Sequence, residues 1–188
     1  MFNLSFCHIN LSRVCYQFFT IALFTLGLLT IVLLTSVQGI AQPSLDYEVQ
    51  TREGESYSLS QYSGQVIYVD FWASWCGPCR KSFPWMNQMH HKYAAQGLKI
   101  IAINLDNDLS HARQFLSQIS ADFTIAYDPN TQVAGEFDIL GMPTSYLFDR
   151  KGQLVATHVG FFSEHKADYE SEIVHYLKQA QPLQRKYK

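Results

Sequence analysis

One unbroken apolar run that ends in a cysteine pair narrows the fold more than any other feature of this sequence. Val66-Ile67-Tyr68-Val69-Asp70-Phe71-Trp72 is apolar on both faces, and Cys76-Gly77-Pro78-Cys79 follows a few residues later. A strand of that kind belongs in the middle of a sheet with helices covering both sides. Beyond it, Cys79, Phe83, Met86, His90 and Tyr93 recur at helical spacing, so a helix is expected from about Pro78 to Gln96, stopped by Gly97. The cysteines therefore sit where a buried strand hands over to a helix. Unpaired N–H groups and the helix dipole stabilise an anion at such a point, which favours the thiolate of Cys76. Pro78 costs no hydrogen bond in a first turn. Cys79, one turn deeper, is placed to attack a mixed disulfide formed at Cys76.

From Asp46 onward strands and helices alternate, the mark of an α/β fold with a central sheet. Residues 47–51 and Ser56-Tyr57-Ser58 predict a leading β-hairpin. Leu98 to Leu105 is a second buried strand, and Ser110 is expected to cap a helix that ends near Ile119. Thr124-Ile125-Ala126-Tyr127 reads as a short strand, followed by the turn Asp128-Pro129-Asn130 and a small helix from Val133 to Phe137. Residues 145–148 and 154–159 predict a second hairpin around Arg150-Lys151-Gly152. Ser163 opens a last helix carrying Tyr169, Ile173, Tyr176 and Leu177.

Charge separates the N-terminus from all of this. Arg13 is the only charged side chain before Asp46, and residues 14–37 form an uncharged, mostly apolar stretch. A bilayer core needs roughly 20 such residues, so the stretch is long enough to span. Gly39-Ile40-Ala41 offers small residues suited to signal cleavage. Residues 1–41 are therefore expected to be a signal peptide or a membrane anchor, 42–180 the globular domain, and 181–188 a polar tail. Arg13 orients the domain away from the cytoplasm, into a periplasmic or other extracytoplasmic space. The chain has 188 residues, 47 % of them hydrophobic, and a net charge of -2, which leaves no basic face for nucleic acid. Of four cysteines, Cys7 and Cys15 belong to the N-terminal segment. The pair left in the domain closes too little chain to stabilise it much, so it is there to react.

Val69-Asp70-Phe71-Trp72-Ala73-Ser74-Trp75-Cys76-Gly77-Pro78-Cys79-Arg80 resembles the active-site stretch of thioredoxin almost residue for residue. Pro84 matches that family's mid-helix proline, Gly141-Met142-Pro143-Thr144 its cis-proline loop, and Asn104-Leu105-Asp106 the end of its neighbouring strand. The segment from Asp106 to Pro143 is longer than in plain thioredoxin. With the leading hairpin and apolar N-terminus, this is similar to the exported TlpA-like disulfide reductases. Some of their cytochrome c maturation members carry a glutamate where this chain has Ser82. The resemblance implies a thioredoxin fold: a central mixed sheet flanked by helices, an N-terminal hairpin, and an extra helix and strand before the cis-proline loop. It implies catalysis by Cys76 and Cys79 with Asp70 as the buried acid behind them. Substrate would dock on Trp75, Gly77, Pro78, Met142, Pro143 and Thr144. Protein thiols and disulfides would be the substrates, a membrane electron donor would supply reductant, and no cofactor is implied.

Alternation places Val66, Tyr68, Asp70 and Trp72 on one strand face, where a carboxylate is costly. Asp70 then reads either as a hydrogen-bonded structural residue or as a proton carrier for Cys79. The lysine that accompanies this acid in thioredoxin falls at Ala102, so desolvation should dominate its titration. A zinc site lacks further ligands, and His90 reads as a packing residue. Asp106 and Asp108 read as ordinary loop polarity. An oxidant of the DsbA kind is disfavoured by Gly77-Pro78, which resembles reducing thioredoxin, at about −270 mV, more than DsbA at about −120 mV. A copper-binding module on the same fold would place three residues between its cysteines. A peroxidase would have threonine where Ala73 stands.

Overall fold

A computed structural model describes residues 43–179. The stretch 14–37, the cleavage point near Ala41 and the polar tail lie outside the described residues. Among the described residues, no helix is long and apolar enough to cross a membrane.

Seven strands build one mixed sheet. They are β1 (Glu48–Gln50), β2 (Ser56–Ser58), β3 (Val66–Trp72), β4 (Leu98–Asn104), β5 (Thr124–Tyr127), β6 (Thr144–Phe148) and β7 (Leu154–Val159), in the order β2-β1-β5-β4-β3-β6-β7. Every residue of β3 is buried, as its two apolar faces require. It runs parallel to β4 and antiparallel to β6, with β5 parallel to β4 and β7 antiparallel to β6. The helices are α1 (Cys79–Tyr93), α2 (Leu109–Gln118), α3 (Gln132–Glu136) and α4 (Lys166–Leu177). The architecture is the thioredoxin fold expected from the sequence, with the leading hairpin and the inserted α2 and β5 in place.

Two cores flank the sheet. Val66, Tyr68 and Trp72 of β3 pack on one face with α1, with Ala112 and Phe115 of α2, and with Tyr169 and Ile173 of α4. Ile67, Val69 and Phe71 face the other way, toward α3 and Phe137. The inserted α2 supports the start of α1 directly. Its Phe115 ring lies 4.7 Å from Trp72 and 5.0 Å from Phe83, and Trp72 and Phe83 are 4.9 Å apart. Such tilted aromatic contacts add to area burial.

Three local features differ from the sequence expectation. The N-cap of α2 is Asp108, whose side chain accepts from the Ser110 N–H at 2.8 Å, so the carboxylate does what Ser110 was expected to do. The redox helix ends at Tyr93 and tightens into a 3-10 turn, Ala94–Gln96, before Gly97. Gly97 has φ +97, a conformation that strains any residue with a side chain, and a Cβ there would stand 2.8 Å from Arg150 Nη1 and push the guanidinium aside. Arg150 is the third: it stands in the turn between β6 and β7 as expected, yet it is also buried, and its guanidinium donates to the carbonyls of Gly64, Gln96 and Leu177.

Candidate active site

Cys76 and Cys79 are joined in a disulfide. Strand β3 ends at Trp72, a tight turn carries the Cys76 N–H to Ala73 O at 3.1 Å, and α1 begins at Cys79. The Cys79 N–H, one of the unpaired donors at the helix start, points at Cys76 Sγ at 3.2 Å. That contact is the physical means by which a helix terminus stabilises a thiolate at Cys76. Cys76 is 3 % exposed and Cys79 0 %, whereas Trp75 beside them is 72 % exposed. The ground over Gly77 is open, since a Cβ there would meet nothing within 4 Å. Ser82 is buried with its hydroxyl donating to Cys79 O. Pro84 lies inside α1 and leaves Arg80 O without its usual helical donor.

Asp70 lies on the strand face that carries Tyr68 and Trp72, the face packed with both cysteines. It is 1 % exposed. Ser145 Oγ donates to its Oδ1 at 2.7 Å, and Oδ2 has no partner. Ala102 is its register partner on β4, so no cation stands beside it there. Burial raises the Asp70 carboxyl from its ordinary value to about 7, against a smaller lowering by the Ser145 hydroxyl. Desolvation dominates, as the alanine at 102 led us to expect.

The Met142–Pro143 peptide is cis, in the loop the resemblance singled out. Thr144, next in chain, pairs with Phe71 of β3, which sets Pro143 level with the end of the strand that leads to Cys76. Met142 packs against the core that holds both cysteines. Thr144 is buried, and its hydroxyl donates to Gly141 O at 2.7 Å, so its side chain braces the loop from within. Around this loop lie Leu140 (79 % exposed), Val159 (51 %) and Phe162 (49 %). Val159 is the register partner of Thr144, and the Gly160 N–H donates to Pro143 O at 2.7 Å. On the opposite side, Trp75, Arg80, His111 and Gln118 line a shallow groove between the start of α1 and α2.

Asp106 was read as loop polarity, and the structure corrects this. Its Oδ2 accepts from the Ser74 N–H at 2.9 Å and Asn104 Nδ2 at 2.8 Å, and its Oδ1 accepts from Ser74 Oγ at 2.9 Å. It is 4 % exposed. This carboxylate fixes the turn that presents Trp75 and Cys76. The signal available in sequence was the Asn-x-Asp at the end of β4 together with a serine two residues before Cys76. His90 is half-buried within α1, its ring 5.8 Å from that of His91. Among the described residues, no three His, Cys, Asp or Glu side chains are gathered to hold a metal.

Comparison with known proteins gives a consistent picture. The profile of the Redoxin family matches residues 38–173. A thiol-disulfide oxidoreductase ResA of Bacillus cereus is 31 % identical over 121 residues, covering 64 % of this chain and 70 % of the relative. A Chlorobium tepidum crystal structure, named for the thiol:disulfide interchange protein DsbE, superposes with a TM-score of 0.69 at 46 % identity. It covers 72 % of this chain and 96 % of its own. StoA of Bacillus subtilis superposes with a TM-score of 0.56 at 26 % identity, over 66 % of this chain and 95 % of its own.

Proposed function

Because the chain belongs to the Redoxin family of the thioredoxin superfamily, and is a thiol–disulfide oxidoreductase, we propose that it reduces or exchanges disulfides in exported proteins. The observation that carries this reading is the Cys76–Cys79 pair at the start of α1, with the Cys79 N–H aimed at Cys76 Sγ. In the reduced enzyme the Cys76 thiolate attacks a substrate disulfide, and one substrate sulfur leaves with the electron pair of the broken bond. Cys79 then gives its proton to Asp70 and attacks Cys76 Sγ, releasing the second substrate sulfur as a thiolate. Two electrons have passed to the substrate, and the Cys76–Cys79 disulfide results. A dithiol donor at the membrane must reduce it again.

Docking falls to the rim of the pair. Trp75, Gly77 and Pro78 form one side and Met142 and cis-Pro143 the other, with buried Thr144 bracing that loop from beneath and not meeting substrate with its side chain. The Met142 backbone pairs with an extended substrate segment in strand-addition style. The neighbouring Leu140, Val159 and Phe162 widen the apolar ground that segment meets. Residues 1–41 either anchor the domain through 14–37 or are removed after export. Both outcomes place the catalytic domain outside the cytoplasm.

The test uses the full-length chain in detergent micelles and insulin reduction by dithiothreitol. Cys76→Ser should abolish turnover, and Cys79→Ser should accumulate a covalent mixed disulfide detectable by intact mass. Full activity in Cys76→Ser would overturn the assignment. A redox potential near the DsbA end would reverse the direction and make the enzyme an oxidant.

A further inference from the structure

Asp70 is sealed from solvent, yet a base that takes a proton from Cys79 must lose it again before the next turnover. The sheet register shows where that proton can go. Ala102 of β4, Asp70 of β3, Ser145 of β6 and His158 of β7 stand side by side in successive pairs. Directly paired residues project from the same face of a sheet, with Cβ atoms about 5 Å apart. On the β4 side the row is apolar, running through the Ala102 methyl to Ile125 of β5. On the β6 side it continues through polar atoms. Ser145 Oγ donates to Asp70 Oδ1 at 2.7 Å. Beyond it, His158 Nε2 lies 2.9 Å from Glu172 Oε2 on α4, and its ring packs 4.6 Å from Tyr169.

Two further features mark this row. Asp70 Oδ2 and His158 Nδ1 are both buried without partners, so each end of the Ser145 step has a free hydrogen-bonding position, and Glu172 Oε2, also buried, meets His158 Nε2 as a charge contact and not as an aligned hydrogen bond. Access to solvent also rises along the row. Asp70 and Ser145 are 1 % and 3 % exposed, while the side chains of His158 and Glu172 are 16 % and 41 % exposed. Beside Asp70 on this face stand Ser145 in direct register, His158 one strand further, and Tyr68 of its own strand, which itself lies in reach of Ser145, Tyr169 and Glu172, with Cys79 in the same core. Neither lysine nor arginine is among them.

We propose that Ser145, His158 and Glu172 carry the proton between Asp70 and solvent during each exchange. This rests on the reading of Asp70 as the base for Cys79. When Asp70 takes the Cys79 proton, its hydrogen bond to Ser145 reverses, and the acid donates to Ser145 Oγ. The serine O–H is then free to turn to His158 Nδ1. Ser145 passes on its own proton as it receives that of Asp70, so the hydroxyl is regenerated. Glu172 balances the imidazolium until the proton leaves to water from the rim. No sulfur bond or electron pair is involved in this relay. Ser145 and His158 act through Asp70 and are positioning and relay residues rather than catalytic ones.

The experiment uses the full-length chain in micelles with a fluorescent thiol disulfide-bonded to Cys76, prepared in acid, where Cys79 is unreactive. A stopped-flow jump across the neutral range then reports attack by Cys79 as release of the dye. Ser145→Ala should slow release at neutral pH by about tenfold, within the reach of lost acid–base catalysis, and move its midpoint to higher pH. His158→Ala should slow release comparably, and added imidazole should restore it, which a packing defect would not allow. Attack of reduced Cys76 on a small aromatic disulfide should be unchanged in both variants. Unmodified release rates in Ser145→Ala and His158→Ala would overturn the relay, as would a loss in His158→Ala that imidazole leaves in place. An unaltered rate in Asp70→Asn is a different failure, since it would remove the base itself.

Discussion

Two buried carboxylates flank the redox turn, and they are bonded in opposite ways. Asp106 accepts three hydrogen bonds through its two oxygens, two of them from Ser74. Asp70 accepts one, from Ser145, and leaves its other oxygen bare in the core. Burial alone does not set them apart, at 4 % and 1 % exposed. The number of donors does. A buried carboxylate surrounded by donors is a fixed joint, because every donor loses its acceptor if the acid goes. One with a bare oxygen gains little from carrying its charge, so a proton comes and goes with little rearrangement. The first kind shapes the active site, and the second works in it.

The largest effect expected from this contrast lies in the pH dependence of stability. The Asp70 carboxyl titrates near 3.8 when unfolded and at about 7 when folded, because burial disfavours its charge. Below the lower value both states hold the proton. Between the two values the folded state binds more protons than the unfolded one, so stability falls as pH rises, and it levels off above the folded value. Three pKa units at about 1.4 kcal/mol each give a loss of roughly 4 kcal/mol across that window. Denaturant unfolding of the oxidised full-length chain should show this decline, and Asp70→Asn should flatten it. A decline of the same size in Asp70→Asn would assign the slope to other groups and end the contrast with Asp106.

Asp106→Ala should cost about 3 kcal/mol, because the Ser74 N–H, Ser74 Oγ and Asn104 Nδ2 lose their buried acceptor. Asp106→Asn keeps one oxygen for two of these donors and turns an amide N–H toward the serine hydroxyl. Its cost should be nearer 1 kcal/mol. Guanidinium midpoints of the two variants measure the difference. Equal losses would mean that shape rather than hydrogen bonding holds the turn.

The contrast was half legible in the sequence. Strand alternation put Asp70 on the face of Tyr68 and Trp72, and the alanine at 102 announced that burial would govern its titration. The first follows from local pattern, the second from the resemblance to thioredoxin. Asp106 reads as an ordinary loop acid because Ser74, which supplies two of its three donors, is 32 residues away in the chain, across a strand crossover. Its own neighbourhood looks like any polar loop. Arg150 escaped for the same reason, since the three carbonyls it binds come from residues 64, 96 and 177. Asp108 and Ser110 are both residue types that cap helices, and only the backbone decides which stands at the Ncap. The chemistry was readable because it is concentrated in one continuous stretch. The supports were not, because long-range register assembles them.

The smallest effect bears on what the Asp106 joint is for. Ser74, held by that acid, precedes a tryptophan that is 72 % exposed. Leaving so large an apolar surface in water is unfavourable for the free enzyme, and no packing contact in the described fold requires it. A rigid stem under an exposed indole suits docking, since a pre-placed side chain loses little conformational freedom when a substrate covers it. Trp75→Ala should therefore raise KM for a protein disulfide several-fold, equivalent to about 1 kcal/mol of aromatic contact. The second-order rate with a small aromatic disulfide should stay the same, because Cys76 keeps its helix-terminal N–H contact. Unfolding midpoints should move by no more than about 0.5 kcal/mol, as for other exposed positions. Parallel kinetics on the two substrates separate docking from reactivity. If both rates fell together, Trp75 would be acting on the thiolate of Cys76, and the Asp106 joint would serve the chemistry rather than recognition.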